Sequence, residues 1–219
     1  MKRVLLLFLI LVMLGCSGAR IPDWTYESFD ALESYKENAL KGRSGLAEMY
    51  FKRAVEETQR SGDLTLLGRV HLTRMAMETV LQRPLSDEKF MAIQDTIPDP
   101  QNEQFYRLLK GKGEKIIPNS LPQQYRDFAF ALQKGDKKAA SDAIARIEDP
   151  CSRVIAVSIC DKWRLCREQA YRLAIDKASR QGWKAVLLIY LEKLAVLQDA
   201  RGEKDQAAAT RKKRDLLQN

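Results

Sequence analysis

From residue 23 onward the chain is a succession of amphipathic helical segments, and no stretch shows the alternation typical of a β-strand. Apolar side chains recur at three- and four-residue spacing. Short turns such as Ser61-Gly62-Asp63 and Gly135-Asp136 separate the segments. Because short turns between amphipathic helices force antiparallel neighbours, the sequence predicts an all-α array of antiparallel helix hairpins. The alternative is an irregular helical bundle.

The periodicity predicts eleven helices, over residues 23–41, 46–60, 64–82, 86–95, 101–110, 123–134, 139–148, 151–160, 163–181, 183–201 and 203–218. The third is apolar around much of its circumference, which indicates burial on two sides. Glycines and prolines concentrate in residues 111–121, the best loop candidate and the expected junction if the helical domain of residues 24–219 has two lobes.

The first sixteen residues have a different character. Lys2-Arg3 is followed by an apolar run from Val4 to Leu14 and then by Gly15-Cys16. A permanent membrane-spanning helix needs about 20 apolar residues, so this run is too short to span and fits a cleaved export signal over residues 1–15.

The block Met13-Leu14-Gly15-Cys16 resembles the lipobox of bacterial lipoproteins. The resemblance implies lipidation of the Cys16 thiol, cleavage after Gly15 and acylation of the new amino terminus. Several acyl chains on one residue hold a protein stably on a bilayer. Ser17 follows the cysteine where Asp commonly signals inner-membrane retention, so the periplasmic face of an outer membrane is favoured if the organism has one.

Residues 16–23 are the only spacer between that lipid and the first helix. The seven residues after Cys16 span at most about 25 Å when extended, so we expect the domain to lie close to its bilayer. The net charge of +8, with 45% hydrophobic and 30% charged residues, is typical of a folded domain. A moderate positive excess suits anionic surfaces or acidic partners, and export argues against nucleic acid.

Small and apolar residues recur at matching positions in several helix pairs. The C-terminal pair carries Leu191, Leu194, Ala195, Gly202 and Ala207; an earlier pair carries Phe128, Gly135, Asp136, Ala140, Ile144, Ile147 and Pro150; a weaker match has Val55, Gly62, Asp63 and Leu67. These positions resemble the tetratricopeptide repeat family, which implies an α-solenoid that binds protein or peptide on its concave face. The turn glycines do not recur at multiples of about 34 residues, and Arg211 and Arg214 replace residues that are apolar in the family.

Three cysteines remain besides Cys16, an odd number for an oxidising compartment. Cys151 and Cys160 on one helix would lie about 13 Å apart, too far for a disulfide. Cys160 with Cys166, or Cys151 with Cys166, are the alternative pairs, and plain burial of all three is equally compatible. A zinc site is not expected, since no histidine lies near and paired CxxC units are missing.

No catalytic motif stands out in the sequence. His71 is the only histidine and shares a helix face with Leu67 and Met75, which indicates a packed structural role. The run Arg211-Lys212-Lys213-Arg214 is a candidate patch for anionic lipid headgroups or an acidic protein. The alternative is a solvated final helix whose cations favour its C-terminal end.

Trp24, Tyr26, Phe29 and Tyr35 are expected mainly in the core of the first hairpin, with contact to the membrane interface as the alternative. The sequence therefore predicts a lipid-anchored, non-enzymatic scaffold that binds an envelope protein or peptide, with no cofactor. The alternative is an enzyme acting on cell-wall glycan, with two carboxylates that converge in a cleft.

Overall fold

A computed structural model describes residues 23–111 and 116–218. The predicted signal peptide, Cys16 and its spacer lie outside this part of the chain, as do residues 112–115 of the candidate loop. The described residues form eleven α-helices and no strand. The helices are α1 (Asp23–Lys41), α2 (Ser44–Ser61), α3 (Leu64–Val80), α4 (Glu88–Thr96), α5 (Pro100–Lys110), α6 (Gln123–Gln133), α7 (Lys137–Arg146), α8 (Pro150–Lys162), α9 (Glu168–Gln181), α10 (Lys184–Ala200) and α11 (Lys204–Gln218).

The turns between helices follow from local capping chemistry. At the end of α2, Gly62 takes a left-handed conformation (φ 70°), which a residue without Cβ adopts freely. Asp63 then accepts a hydrogen bond from the Leu66 amide at 2.9 Å and caps the start of α3. Asp136 and Asp149 cap α7 and α8 in the same way. Neighbouring helices pack in antiparallel pairs, so the predicted all-α helical array is confirmed.

Five helices close the array into a ring. α1 packs on α3, α3 on α8, α8 on α9, α9 on α10, and α10 returns to α1. α2 covers α1 on the outside, while α4 and α5 cover α3. α6 and α7 pack beside α8, and α11 packs on α10. The first helix and the tenth are therefore neighbours in space.

Two helices of this ring, α3 and α8, bury the most residues. α8 buries every residue from Val154 to Cys160, and α3 buries residues on all sides, including Val70, Leu72, Met75 and Met77. The predicted burial of the third helix is confirmed, because α3 contacts α1, α2, α4, α5 and α8. Such helices lack the single apolar stripe of surface helices.

A close crossing of α3 and α5 depends on a glycine. A Cβ at Gly68 would lie 3.2 Å from Nδ2 of Asn102. That buried side-chain amide donates to the Thr65 carbonyl at 3.0 Å. The Asn102 backbone amide donates to the carboxylate of the capping residue Asp99. Gly68 thus lets the start of α5 approach α3 closely.

Residues 116–121 of the candidate loop are built into the core. Ile116 and Leu121 are buried, and residues 118–120 form a short 3₁₀ turn. The Gln104 side chain accepts from the Ile117 amide at 2.6 Å, and Gln133 donates to the Ile116 carbonyl at 2.6 Å. One hydrophobic core runs through helices on both sides of this segment. The segment therefore joins two halves that share their interior.

Two sequence expectations are wrong in detail. Residues 163–167, predicted as the start of a helix, form a turn. α8 ends at Lys162, Arg164 has a positive φ of 56°, and α9 begins at Glu168. On α1, Tyr35 is buried, but Tyr26 and Phe29 are 62% and 50% exposed. They lie off the face that packs on α2, so they are not core residues of the first hairpin.

Candidate functional site

Two neighbouring depressions lie where several helices start and end. The larger, of about 760 Å³, is bounded by α6, α7 and the turn before α8. The smaller, of about 450 Å³, is bounded by α1, the start of α8 and the turn between α9 and α10. Asp149 lines both. They form a continuous candidate surface, which we call the Asp149 surface.

The larger depression has an apolar floor and a mixed polar rim. Ala143 and Ile147 are buried at its base. On the rim, Arg146 donates to Asp127 at 3.1 Å, and both side chains are well exposed. Glu148 and Gln124 add an exposed carboxylate and an exposed amide. This composition offers hydrogen-bonding groups of both polarities to a ligand.

The smaller depression contains a polar bridge between the first and last parts of the ring. The Trp183 indole Nε1 donates to Oε2 of Glu37 at 2.7 Å, and Lys41 contacts Oε1 of the same carboxylate at 2.7 Å. Burial alone would raise the pKa of Glu37. The hydrogen bonds from Lys41 and Trp183, with the positive charges of Lys41 and Arg43, lower it below its ordinary value. Glu37 is therefore a charged structural partner.

The turn between the two depressions is held firmly. The Asp149 carboxylate accepts from the Ser152 amide at 2.6 Å and caps α8. Arg153 donates through Nε to the Ile147 carbonyl at 2.7 Å. Pro150 occupies the first turn of α8, where its fixed φ suits the helix. The ridge that divides the surface is therefore pre-organised.

The carboxyl groups with a shifted pKa accept hydrogen bonds from neighbouring donors. Among residues 23–111 and 116–218, every carboxyl group whose pKa departs from its ordinary value has a lowered pKa. Hydrogen bonds from Lys110 and Tyr106 lower the pKa of Asp87, and the Arg172 hydrogen bond is the main cause at Glu168. Within the same described residues, no group of three or more His, Cys, Asp or Glu side chains is placed to hold a metal ion.

The three described cysteines all belong to α8 or the turn after it. Cys151 is in the first turn of α8 and lines the smaller depression, where burial raises the pKa of its thiol to about 12. Cys160 is fully buried near the other end of the helix, and Cys166 lies in the turn between α8 and α9. The structure brings Cys160 and Cys166 together, with both thiols free.

Half of the basic run on α11 is engaged within the molecule. Arg211 contacts Asp199 at 2.5 Å, and Arg214 is paired with Glu192 and Asp215. Lys212 and Lys213 are exposed on the outer side of the helix. The two arginines therefore fasten α11 to α10, which leaves two lysines as the outward part of the predicted anionic-surface patch.

His71 lies on α3 against Phe51, with ring centroids 5.7 Å apart in an edge-to-face arrangement. Burial lowers the pKa of His71, and the charges of Arg74 and Lys89 lower it further. The side chain is half-buried among packed residues of α2 and α3. This geometry is that of a packing residue that stays neutral at neutral pH.

No local pattern in the sequence indicates the Asp149 surface as a unit. Asp149-Pro150 was recognisable as a helix boundary, but Glu37 and Trp183 carry no local signal of their pairing. They lie 146 residues apart in the chain. Only the closure of the ring brings them together.

No family model, curated protein or solved structure matches the chain. Within the described residues, none of the helices combines the length and apolar character that crossing a bilayer requires.

Proposed function

We propose that the protein is an envelope lipoprotein, anchored through Cys16, that acts as a non-enzymatic scaffold for a protein or extended peptide. The observation that carries this proposal is the Asp149 surface. It is an open surface with an apolar floor and a rim of both charges. Surfaces of this kind suit recognition of another chain, in which a buried apolar contact is surrounded by polar ones.

The ring supplies the rigidity that such recognition needs. The ridge at Asp149 is fixed by a helix cap and by the bond from Arg153 to the Ile147 carbonyl. The side of the smaller depression is fixed by the bond between Trp183 and Glu37. A surface that is ordered before binding loses less conformational entropy when a partner arrives. A lipid-anchored helical domain that binds a partner is similar in its general plan to the helical-repeat lipoproteins that assist pilus secretins and outer-membrane barrel assembly.

Site-directed photo-crosslinking in intact envelopes tests the binding role. A photoreactive side chain replaces exposed Gln124 in the larger depression or exposed Gln181 in the smaller one. The matched control position is exposed Asp95 on α4, which lines neither depression. We expect the same discrete adduct from Gln124 and Gln181 and none from Asp95. Equal adducts from all three positions, or no adduct from Gln124 and Gln181, would contradict the proposal.

A charge swap separates loss of binding from loss of folding. Asp127→Arg alone places two arginines together, since Asp127 is the partner of Arg146. The double variant Asp127→Arg with Arg146→Glu restores an ion pair of opposite direction. We expect the double variant to recover stability while the adduct from Gln124 stays weak. Full recovery of the adduct with the restored pair would show that this rim does not contact the partner.

A further inference from the structure

The chain reverses direction immediately after α8. The Leu165 amide donates to the Cys160 carbonyl at 3.1 Å, and Arg164 takes a left-handed conformation with φ of 56°. This closure is the usual way in which a helix end is satisfied by the residues that follow it. It folds residues 165 and 166 back onto the last turn of the helix.

The reversal sets two cysteine side chains side by side. Cys166 Sγ lies 3.4 Å from the Val157 carbonyl oxygen, one turn before the end of α8. Cys160 lies one helical turn after Val157 on the same face of α8, so its side chain is next to Cys166 and raises the pKa of that thiol. Cys151 lies at the other end of α8. It is nine residues and about 13 Å from Cys160, and six residues and about 9 Å from Val157, which Cys166 contacts, so both distances are beyond the reach of a disulfide. The geometry therefore selects one pair among the three cysteines.

We propose that Cys160 and Cys166 form an intramolecular disulfide bond in the protein as it functions. In this step the two S–H bonds break, one S–S bond forms, and two protons and two electrons leave. The electrons pass to the disulfide of a thiol–disulfide oxidant, which is reduced to two thiols through a mixed-disulfide intermediate. The inference does not rest on the proposed binding role, but it rests on the proposed export, because thiols are kept reduced in the cytosol.

The burial of the two thiols determines when the disulfide can form. Burial raises the pKa of the Cys166 thiol, and the Cys160 thiol beside it raises that pKa further. Because the thiolate is the species that attacks a disulfide, exchange is slow once the corner has packed. We infer that the bond forms during folding and is then protected, since Cys160 is fully buried.

The bond would lock the corner between α8 and α9. Next to it, Asp161 accepts a hydrogen bond from the Tyr171 hydroxyl at 2.5 Å and contacts Lys193 at 2.9 Å. These contacts tie α8, α9 and α10 together at one point. A covalent link at that point holds the turn of residues 163–167, which has no regular helical bonds of its own.

Peptide mapping of the full-length protein from isolated envelopes tests the proposal. Free thiols are blocked with N-ethylmaleimide in denaturant without reductant, and the protein is then cut with trypsin. Lys162 and Arg164 lie between the two cysteines, so cleavage separates residues 154–162 from residues 165–167. We expect these two peptides joined, with a mass two hydrogens below their sum, and the Cys151 peptide carrying the blocking group.

Variants provide the controls. In Cys151→Ser the linked peptide must persist, and in Cys166→Ser the Cys160 peptide must carry the blocking group. Reductant should lower the melting temperature of the parent protein but not that of Cys166→Ser. Blocked Cys160 and Cys166 in the unreduced parent, or a link from either of them to Cys151, would overturn the proposal. Because the mapping is done on the parent protein, it holds even if a variant folds poorly.

Discussion

The indole Nε1 of Trp183 donates a hydrogen bond of 2.7 Å to Oε2 of Glu37, across 146 residues of chain. Trp183 directly precedes α10, and Glu37 lies in α1. Nearby, a Cβ at Gly42 would lie 3.3 Å from the Cβ of Ala185, so the two helices approach closely at this point. This pairing closes the ring and forms one side of the smaller depression.

Removal of the indole donor should loosen this closure. Trp183→Phe keeps an aromatic ring but leaves Glu37 with Lys41 alone. We expect a loss of about 1 kcal/mol in the free energy of unfolding, measured with chemical denaturant. In a Glu37→Gln background the same substitution should lower the free energy of unfolding by less, because the charged acceptor is already gone. Equal losses in the two backgrounds would mean that ring packing alone explains the effect.

The Glu37 carboxylate should make stability depend on pH in the acid range. Its pKa is lowered in the folded protein, so the folded state binds fewer protons than the unfolded state there. The stabilisation is present above the ordinary value of 4.5 and is lost as the pH falls through the lowered folded value. We expect the stability difference between the parent and Glu37→Gln to shrink below pH 4.5 in denaturant titrations. A difference that grows on acidification would contradict the assigned direction.

Two glycines in helices should respond in opposite ways to alanine. Gly68→Ala places a methyl group 3.2 Å from the buried Asn102 amide, and we expect a net loss of about 1 kcal/mol despite the better helix propensity. Gly45 has no heavy atom within 4 Å of its Cβ position. Gly45→Ala should therefore leave stability unchanged or raise it by up to about 1 kcal/mol. Thermal unfolding followed by circular dichroism checks both.

A buried pair of hydroxyl groups should stabilise the first hairpin. The Ser28 and Thr58 oxygens lie 2.6 Å apart between α1 and α2, and Thr58 also donates to the Ala54 carbonyl. Thr58→Val leaves the Ser28 hydroxyl buried without this partner, which should cost about 1–3 kcal/mol. A double-mutant cycle with Ser28→Ala measures the coupling. Strict additivity of the two losses would show that the pair is not coupled.

The lipid anchor is tested at the predicted modification site. Cys16→Ser should leave an unprocessed precursor and abolish labelling by radioactive fatty acid, because the acylated thiol is gone. Cys151→Ser is the matched control, and it should be processed and labelled like the parent. Normal maturation of Cys16→Ser would exclude the lipoprotein assignment.

Local signals were sufficient for most of the helices. Ser61-Gly62-Asp63 contains both a residue suited to a left-handed conformation and a side chain that caps the next helix, so this boundary is readable from three letters. The end of α8 has no such signal. Arg164 takes a positive φ without being glycine, because the turn is stabilised by the bond from Leu165 to the Cys160 carbonyl. The sequence therefore predicts that the next helix starts at Trp163, although α9 begins only at Glu168.

The candidate site depends on contacts that no local pattern encodes. Glu37 is on a helix face that looks solvated in the sequence, and its partner arrives from the other end of the domain. In the same way, Arg211 and Arg214 appeared as a free basic run, although their acidic partners on α10 are aligned only by the packing of α11. The sequence identifies the charges, and tertiary structure decides which of them are neutralised.

The closure of the ring also affects the order in which contacts form during folding. α1 is made first, yet one of its neighbours, α10, follows about 146 residues later. A contact between segments so far apart in the chain carries a large loop-closure entropy, so it forms after the contacts of α1 with its near neighbours. Until then α1 has only nearby helices such as α2 and α3 to cover it, and part of its surface stays available to chaperones.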